Sequence, residues 1–388
     1  MNFYLLTAGY VVAGGLAVTI FIWGKADGSS FFDKCYRIVC VYLPRTLKSV
    51  LLKCCGPRGP AALDRTWDYL CYKTNPLVQI FYLFVVVGGY LVFVAFGYPM
   101  VTDQGFSSIH KYLGFVIFLF CVGTWWKACF TDPGIVTKQN VEDLCEFYKW
   151  DEQIFTAQMC QTCNLMKPAR SKHCSLCNVC VAKFDHHCIW INSCVGVGNH
   201  KYFLLFLWWH LVICAYGCGM GLTMAWNIVI TKNLFAAQFV DPVTQERKSA
   251  TWLIVLQYMM ATEGMILFVS ILACVMGLVL FGFFLWHLHL VRVGTTTNEL
   301  SKWNYVKWLL KNDKEEGGEE KLAKLNNIYN KGMFQNFKEV FIPVDVHKFP
   351  RQLAAESKAL QADSGKASAA TSSAANSKKA NKGKTKKG

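Results

Sequence analysis

Cysteine and histidine crowd into one short stretch of this chain. It reads Cys160-x2-Cys163, then His173-Cys174-x2-Cys177-x2-Cys180, then Asp185-His186-His187-Cys188, then Cys194. Seven of the 18 cysteines fall there. Thiolates and imidazoles at C-x2-C spacing suit tetrahedral Zn²⁺. Two such sites would consume eight ligands, which six of these cysteines and two of the histidines can supply. One cysteine and one histidine are left over, two residues apart and behind an aspartate. A zinc-stiffened loop with a spare Asp/His/Cys set is suited to holding a nucleophile rather than to a purely structural knuckle.

The elements that must position this loop are membrane helices. Of 388 residues 53% are hydrophobic and only 17% charged, and the apolar residues come in blocks. A spanning helix needs roughly 20 apolar residues. Five segments qualify: 3–23, 77–98, 112–130, 202–230 and 264–287. The first is read as a retained helix rather than a signal peptide, because Met1-Asn2-Phe3 offers no basic leader and the apolar run is long. Residues 24–76, 127–201 and 288–388 carry 36 of the 40 Lys and Arg. The positive-inside rule therefore puts these three segments, and the cysteine cluster, in the cytosol. Clustering at ligand spacing rather than in scattered pairs also favours a reducing compartment. The net charge of +15 then belongs to cytosolic segments facing anionic lipid.

The segment Cys35 to Cys55, with Arg37, Arg45, Lys48 and Lys53, is basic and partly amphipathic and is expected on the membrane surface. Cys54-Cys55 beside Lys53 and Arg58 has the character of a juxtamembrane S-acylation site. Residues 311–325 read as a charged linker or exposed helix. From about 354 the chain is rich in Ala, Ser and Lys and is expected to be disordered.

The full stretch, Cys160-x2-Cys163-x3-Lys167-Pro168-x-Arg170-x2-His173 through Cys194-x4-Asn199-x3-Phe203, resembles the cysteine-rich domain of the DHHC family of protein S-acyltransferases (palmitoyltransferases). Asp132-Pro133-Gly134 stands where that family has its DPG motif, and Thr296-Thr297-Asn298-Glu299 where it has TTxE. Tyr329-x2-Gly332-x3-Asn336-x3-Val340-Phe341 resembles its C-terminal PaCCT motif. The likeness covers about 77–345. Two departures, Ile189 where many members have Pro and Ile342 where many have Gly, bear on substrate or acyl preference rather than on a reactive group.

The resemblance implies an all-α polytopic membrane protein. About five transmembrane helices would carry a small cytosolic zinc-bound cysteine-rich domain between helices 3 and 4. The expected organisation is an extra N-terminal helix and basic loop (1–76), helices 2–3 (77–130), the cysteine-rich domain (131–201), helices 4–5 (202–290), a cytosolic region with TTxE and PaCCT-like motifs (291–350) and a disordered basic tail (351–388). It further implies two structural zinc ions, one held by Cys160, Cys163, His173 and Cys180 and the other by Cys174, Cys177, His187 and Cys194. Cys188 is then the nucleophile, His186 its base and Asp185 the group that orients His186. Thr297 would steady Asp185, and Asn336 is a supporting residue. Trp190, Phe203 and Phe206 would line a cavity for the acyl chain. Lys167 and Arg170, helped by Arg292 or Lys302, would face the phosphates of coenzyme A.

The implied reaction moves a long-chain acyl group from acyl-CoA, palmitoyl-CoA above all, to cysteines of membrane-associated substrate proteins through an acyl-cysteine intermediate. A zinc module that binds partners without catalysis is the competing class. RING-type spacing differs and leaves no Asp-His-x-Cys remainder, and nucleic-acid knuckles do not sit pinned between two spans, so no nucleic-acid partner is expected. Lys384 and Lys386 resemble a K-x-K-x-x retrieval signal, so the protein is expected in the endoplasmic reticulum or Golgi.

Overall fold

The computed structural model describes residues 25, 27–240, 245–312 and 318–342. The expected span 3–23 and the tail with Lys384 and Lys386 lie outside the described residues.

The described chain falls into two units, Met1–Asn75 and Pro76–Gly388. In the first, α1 (Phe31–Arg37) passes through a π-helical turn into α2 (Leu43–Cys55), and α3 (Arg58–Tyr72) follows. Ser30 and Asp33 form a capping box at the start of α1, each side chain accepting from the other's backbone N–H at 3.1 and 2.7 Å. Gly56 and Pro57 break the chain between α2 and α3. Leu43, Leu47 and Val50 are exposed along the basic, amphipathic α2, as the sequence suggests.

The second unit holds four helices that, among the described residues, are long and apolar enough to cross a membrane: Leu77–Asp103, Ile109–Phe130, His200–Thr231 and Gly264–Arg292. They overlap the last four of the five expected spans. The first comprises α4 (Leu77–Val92), a π-helical turn and α5 (Tyr98–Asp103). The others are α6 (Ile109–Phe130), α8 (His200–Thr231) and α10 (Gly264–Arg292). α8 packs against both α6 and α10. A Cβ on Gly221 would meet Ser270 Oγ at 1.8 Å, so α8 and α10 approach closely only because position 221 lacks a side chain. The loop 231–263 contains α9 (Trp252–Thr262), which sequence length alone passes over because 11 residues cannot span.

Between α6 and α8 come α7 (Val141–Phe147) and three antiparallel hairpins: β1 (Met159–Cys160) with β2 (Leu165–Met166), β3 (Lys172–Cys174) with β4 (Val179–Val181), and β5 (His186–Cys188) with β6 (Ser193–Val195). Asn164, Asn178 and Asn192 adopt left-handed backbone in these turns, with φ of 52, 56 and 47°. Asparagine tolerates that region better than other non-glycine residues. The Asp132-Pro133-Gly134 turn seats the domain on the helices. Asp132 Oδ1 accepts the N–H groups of Gly134 and Ile135 at 2.7 and 2.9 Å, and Gly134, at φ 100°, leaves room for Val197. After α10, α11 (Thr297–Asn312), α12 (Gly318–Ala323) and α13 (Met333–Phe341) complete the described chain, and α13 packs on α10 and α8.

Candidate active site and metal centres

Register in the hairpins gathers the ligands. His173 lies opposite Cys180 in β3–β4, and His187 opposite Cys194 in β5–β6. Each pair meets the C-x2-C turn of the hairpin before it. Cys160, Cys163, His173 and Cys180 converge, and so do Cys174, Cys177, His187 and Cys194. His173 Nδ1 is 3.6, 3.3 and 3.8 Å from the sulfurs of Cys160, Cys163 and Cys180. His187 Nδ1 is 3.8, 3.3 and 3.7 Å from those of Cys174, Cys177 and Cys194. A tetrahedral zinc with Zn–S of about 2.3 Å and Zn–N of about 2.05 Å holds S and N about 3.6 Å apart. Both sets fit that ion. The N–H of Cys163 points to Cys160 Sγ at 3.4 Å and that of Cys177 to Cys174 Sγ at 3.5 Å, bonds that support a thiolate. All four corners of each site are protein groups, as in structural centres.

Cys188 stands beside the second centre but outside it. It is 6% exposed and belongs to an apolar cluster with Tyr82, Trp125, Phe203 and Phe206. The turn that follows it is pinned to the helices: Trp125 Nε1 donates to the Trp190 carbonyl at 3.1 Å and Gln79 to that of Ile191 at 2.9 Å. His186 and Cys188 are alternate residues of β5 and share one face of that strand, and His186 Nδ1 lies 2.7 Å from Asp185 Oδ2. Burial pushes the His186 pKa down, but Asp185 and the neighbouring Cys188 outweigh it and raise it to about 9. Burial works against ionisation of Asp185, yet the hydrogen bond from His186 holds its carboxyl well below the usual range. Thr297 grips the same carboxylate twice, backbone N–H to Oδ1 and Oγ1–H to Oδ2, both at 2.9 Å.

A profile of the DHHC palmitoyltransferase family matches residues 153–304. The palmitoyltransferase swf1 of Schizosaccharomyces pombe is 30% identical over 368 residues, 88% of this chain and 98% of its own length. The chain belongs to the DHHC palmitoyltransferase family. The palmitoyltransferase ZDHHC4 of Rattus norvegicus is 29% identical over 81% of this chain and 94% of its own. The palmitoyltransferase SWF1 of Debaryomyces hansenii is 36% identical over 62% of this chain and 60% of its own. As in that family, the protein is an S-palmitoyltransferase with a metal-capable cysteine-rich domain between apolar helices.

Other expected site residues fall in different places. Arg170 is a correction: it is 2% exposed and spent on protein partners, so it does not face a coenzyme A phosphate. Its Nε and Nη2 donate to Glu299 at 2.6 and 2.8 Å and Nη2 also to the Gly294 carbonyl. Its guanidinium lies 4.8 Å over the Tyr329 ring. Lys183 pairs with Glu339 at 2.7 Å nearby. Burial opposes ionisation of Glu339, but Lys183 and Arg170 hold its pKa at about 2. Lys167 and Lys302 do come together, with Lys172, around a cavity of about 410 Å³ that Trp150 and Tyr305 also line. Arg292, at the end of α10, lies outside it. Phe203 and Phe206 share the cluster of Cys188, whereas Trp190 is 45% exposed and does not. Asn336 donates to the Arg292 carbonyl at 3.0 Å and to Asn330 at 2.8 Å, tying α13 to the end of α10 rather than touching Asp185.

Sequence reasoning passed over the pairs Arg170–Glu299 and Lys183–Glu339, and the buried His200 and His287. The two histidines carried a signal, since an ionisable side chain at the edge of an apolar span marks function by default.

Proposed function

We propose that Cys188 carries the acyl group between acyl-CoA and the cysteine thiols of substrate proteins. One observation carries this reading: Cys188 shares a strand face with His186, which bonds Asp185, while all three stay outside the two Cys₃His sets. With its Nδ1–H given to Asp185, His186 presents Nε2 to the Cys188 proton, and its raised basicity lets it hold that proton as imidazolium. The thiolate attacks the thioester carbonyl, the bond from carbonyl carbon to coenzyme A sulfur breaks, and the departing thiolate takes the proton from His186. A substrate cysteine then passes its proton to His186 and attacks the acyl group on Cys188, whose sulfur leaves and is reprotonated. Asp185, fixed by Thr297, keeps the imidazole in one tautomer and stabilises imidazolium.

Zinc, held by the two Cys₃His sets, would supply shape to the loop. Phe203 and Phe206 would face the acyl chain, whose burial contributes about 0.8 kcal/mol per CH₂. Lys167, Lys172 and Lys302 are a fitting place for coenzyme A phosphates, and α11 starts at Asp185 and runs past this cavity. The distribution of Lys and Arg supports a cytosolic catalytic domain.

The experiment is acylation of the purified chain with labelled palmitoyl-CoA. Cys188→Ser is expected to lose all hydroxylamine-sensitive label yet keep two zinc ions. His186→Ala is expected to keep its zinc and slow by about 10²-fold or more, whereas His187→Ala loses metal first. Full labelling of Cys188→Ser would end the assignment.

A further inference from the structure

Two histidines beside Asp185 take no part in the reaction as derived. His200 opens α8 and His287 lies near the end of α10; they are 4% and 1% exposed. A ring nitrogen of each and a carboxylate oxygen of Asp185 lie within 4.8 Å of one another. Among the described residues, neither ring nitrogen of His200 has a hydrogen-bond partner, and Nδ1 of His287 has none. Buried polar nitrogens in that condition are uncommon and call for a bridging partner. Three atoms so spaced share a central point no more than about 2.8 Å from each, a hydrogen-bond length. His200 also lines a separate cavity of about 10 Å³ with Lys183, Asn336 and Glu339, which neither Asp185 nor His287 lines; a water there would serve the other ring nitrogen of His200.

We propose that His200 and His287 are positioning residues for the catalytic pair, holding Asp185 through one ordered water shared by the three side chains. A metal ion is the rival occupant of two imidazoles and a carboxylate. The partners of Asp185 favour water. Both of its oxygens already accept hydrogen bonds, from Thr297 and His186, and the cationic Lys183 shares the His200 cavity. A dication would withdraw the charge that must stabilise the His186 imidazolium. The water instead adds a fourth hydrogen bond to the carboxylate and offers a partner to one ring nitrogen each of His200 and His287.

The inference rests on the Cys188–His186–Asp185 assignment, and the test separates the two. Maximal acylation rate and half-saturating palmitoyl-CoA are measured for the full-length chain, with metal content. His200→Phe is expected to lose on the order of tenfold or more in rate, at unchanged half-saturation and with two zinc ions retained. His200→Gln, which can still bond a water, restores most of the rate. His287→Phe and His287→Gln repeat the comparison at a second position should one variant misfold. A His200→Phe enzyme as fast as wild type overturns the inference, as does equal slowing by Phe and Gln. A third metal ion in the wild type that His200→Phe loses also overturns it. Wild-type protein that takes no acyl group on Cys188 removes the catalytic assignment and the inference together.

Discussion

The two metal centres and the buried ion-pair knot support the same loop by different physics. The centres are local, each set falling within Cys160–Cys180 or Cys174–Cys194. The knot is distant: Arg170 meets Glu299 across 129 positions and Lys183 meets Glu339 across 156. Structural zinc releases about 10–16 kcal/mol, which becomes folding energy because the sites do not exist in the unfolded chain. A buried ion pair gains Coulomb energy but gives back most of it as desolvation, so it adds little net stability. Metal bound at both sets would therefore make the loop fold, whereas the knot fixes where α11, with Thr297, meets Asp185.

Metal removal is the strongest way to break the first half of that comparison. Cys177→Ser, or a chelator, is expected to take zinc below two per chain and to unfold the cysteine-rich domain. Because the ligand sets interleave in sequence, losing one centre loosens both. Metal analysis with limited proteolysis of 131–201 checks this. A stable Cys177→Ser enzyme with normal activity would contradict a structural role for zinc.

The knot should behave differently. Arg170→Met leaves Glu299 buried without its cation, which costs about 3–5 kcal/mol. Adding Glu299→Gln removes the stranded charge while keeping an acceptor for the Thr296 N–H, now 2.9 Å away. The double variant is expected to recover at least half of the lost thermal stability, with zinc at two throughout, yet to remain slow in acylation. Recovery of stability and rate together would mean that the knot does not position Asp185.

The same contrast explains what could be read from the sequence. The cysteine cluster and its C-x2-C pairs were legible because metal geometry forces short, fixed spacings that survive in one dimension, whereas the division into two ligand sets and the roles of Cys188 and His186 came from the family resemblance. The last four expected spans were legible because a bilayer demands length. The knot was not, since nothing in Lys167-Pro168-x-Arg170 separates a guanidinium turned inward to Glu299 from one turned outward to phosphate. Burial decides, and burial depends on partners more than a hundred positions away. Thr297 was placed by resemblance rather than by any property of its own, and α9 was too short to register.

Thr297 joins the two regions, and its side chain offers the smallest and sharpest test. Thr297→Val keeps the shape and the backbone N–H that bonds Asp185 Oδ1, and deletes only the hydroxyl that bonds Oδ2. A hydrogen bond to a charged group is worth about 1.5–3 kcal/mol, but His186 still serves the same oxygen, so the low end applies. If that loss falls on the transition state, acylation slows about tenfold, while zinc content and thermal stability stay close to wild type. Thr297→Ser, which keeps the hydroxyl, should act within about threefold of wild type, the residue reflecting the freer rotamer of serine. A Val variant that acylates normally would show that the backbone bond alone holds Asp185, and that the knot positions the loop through the start of α11 rather than through this side chain.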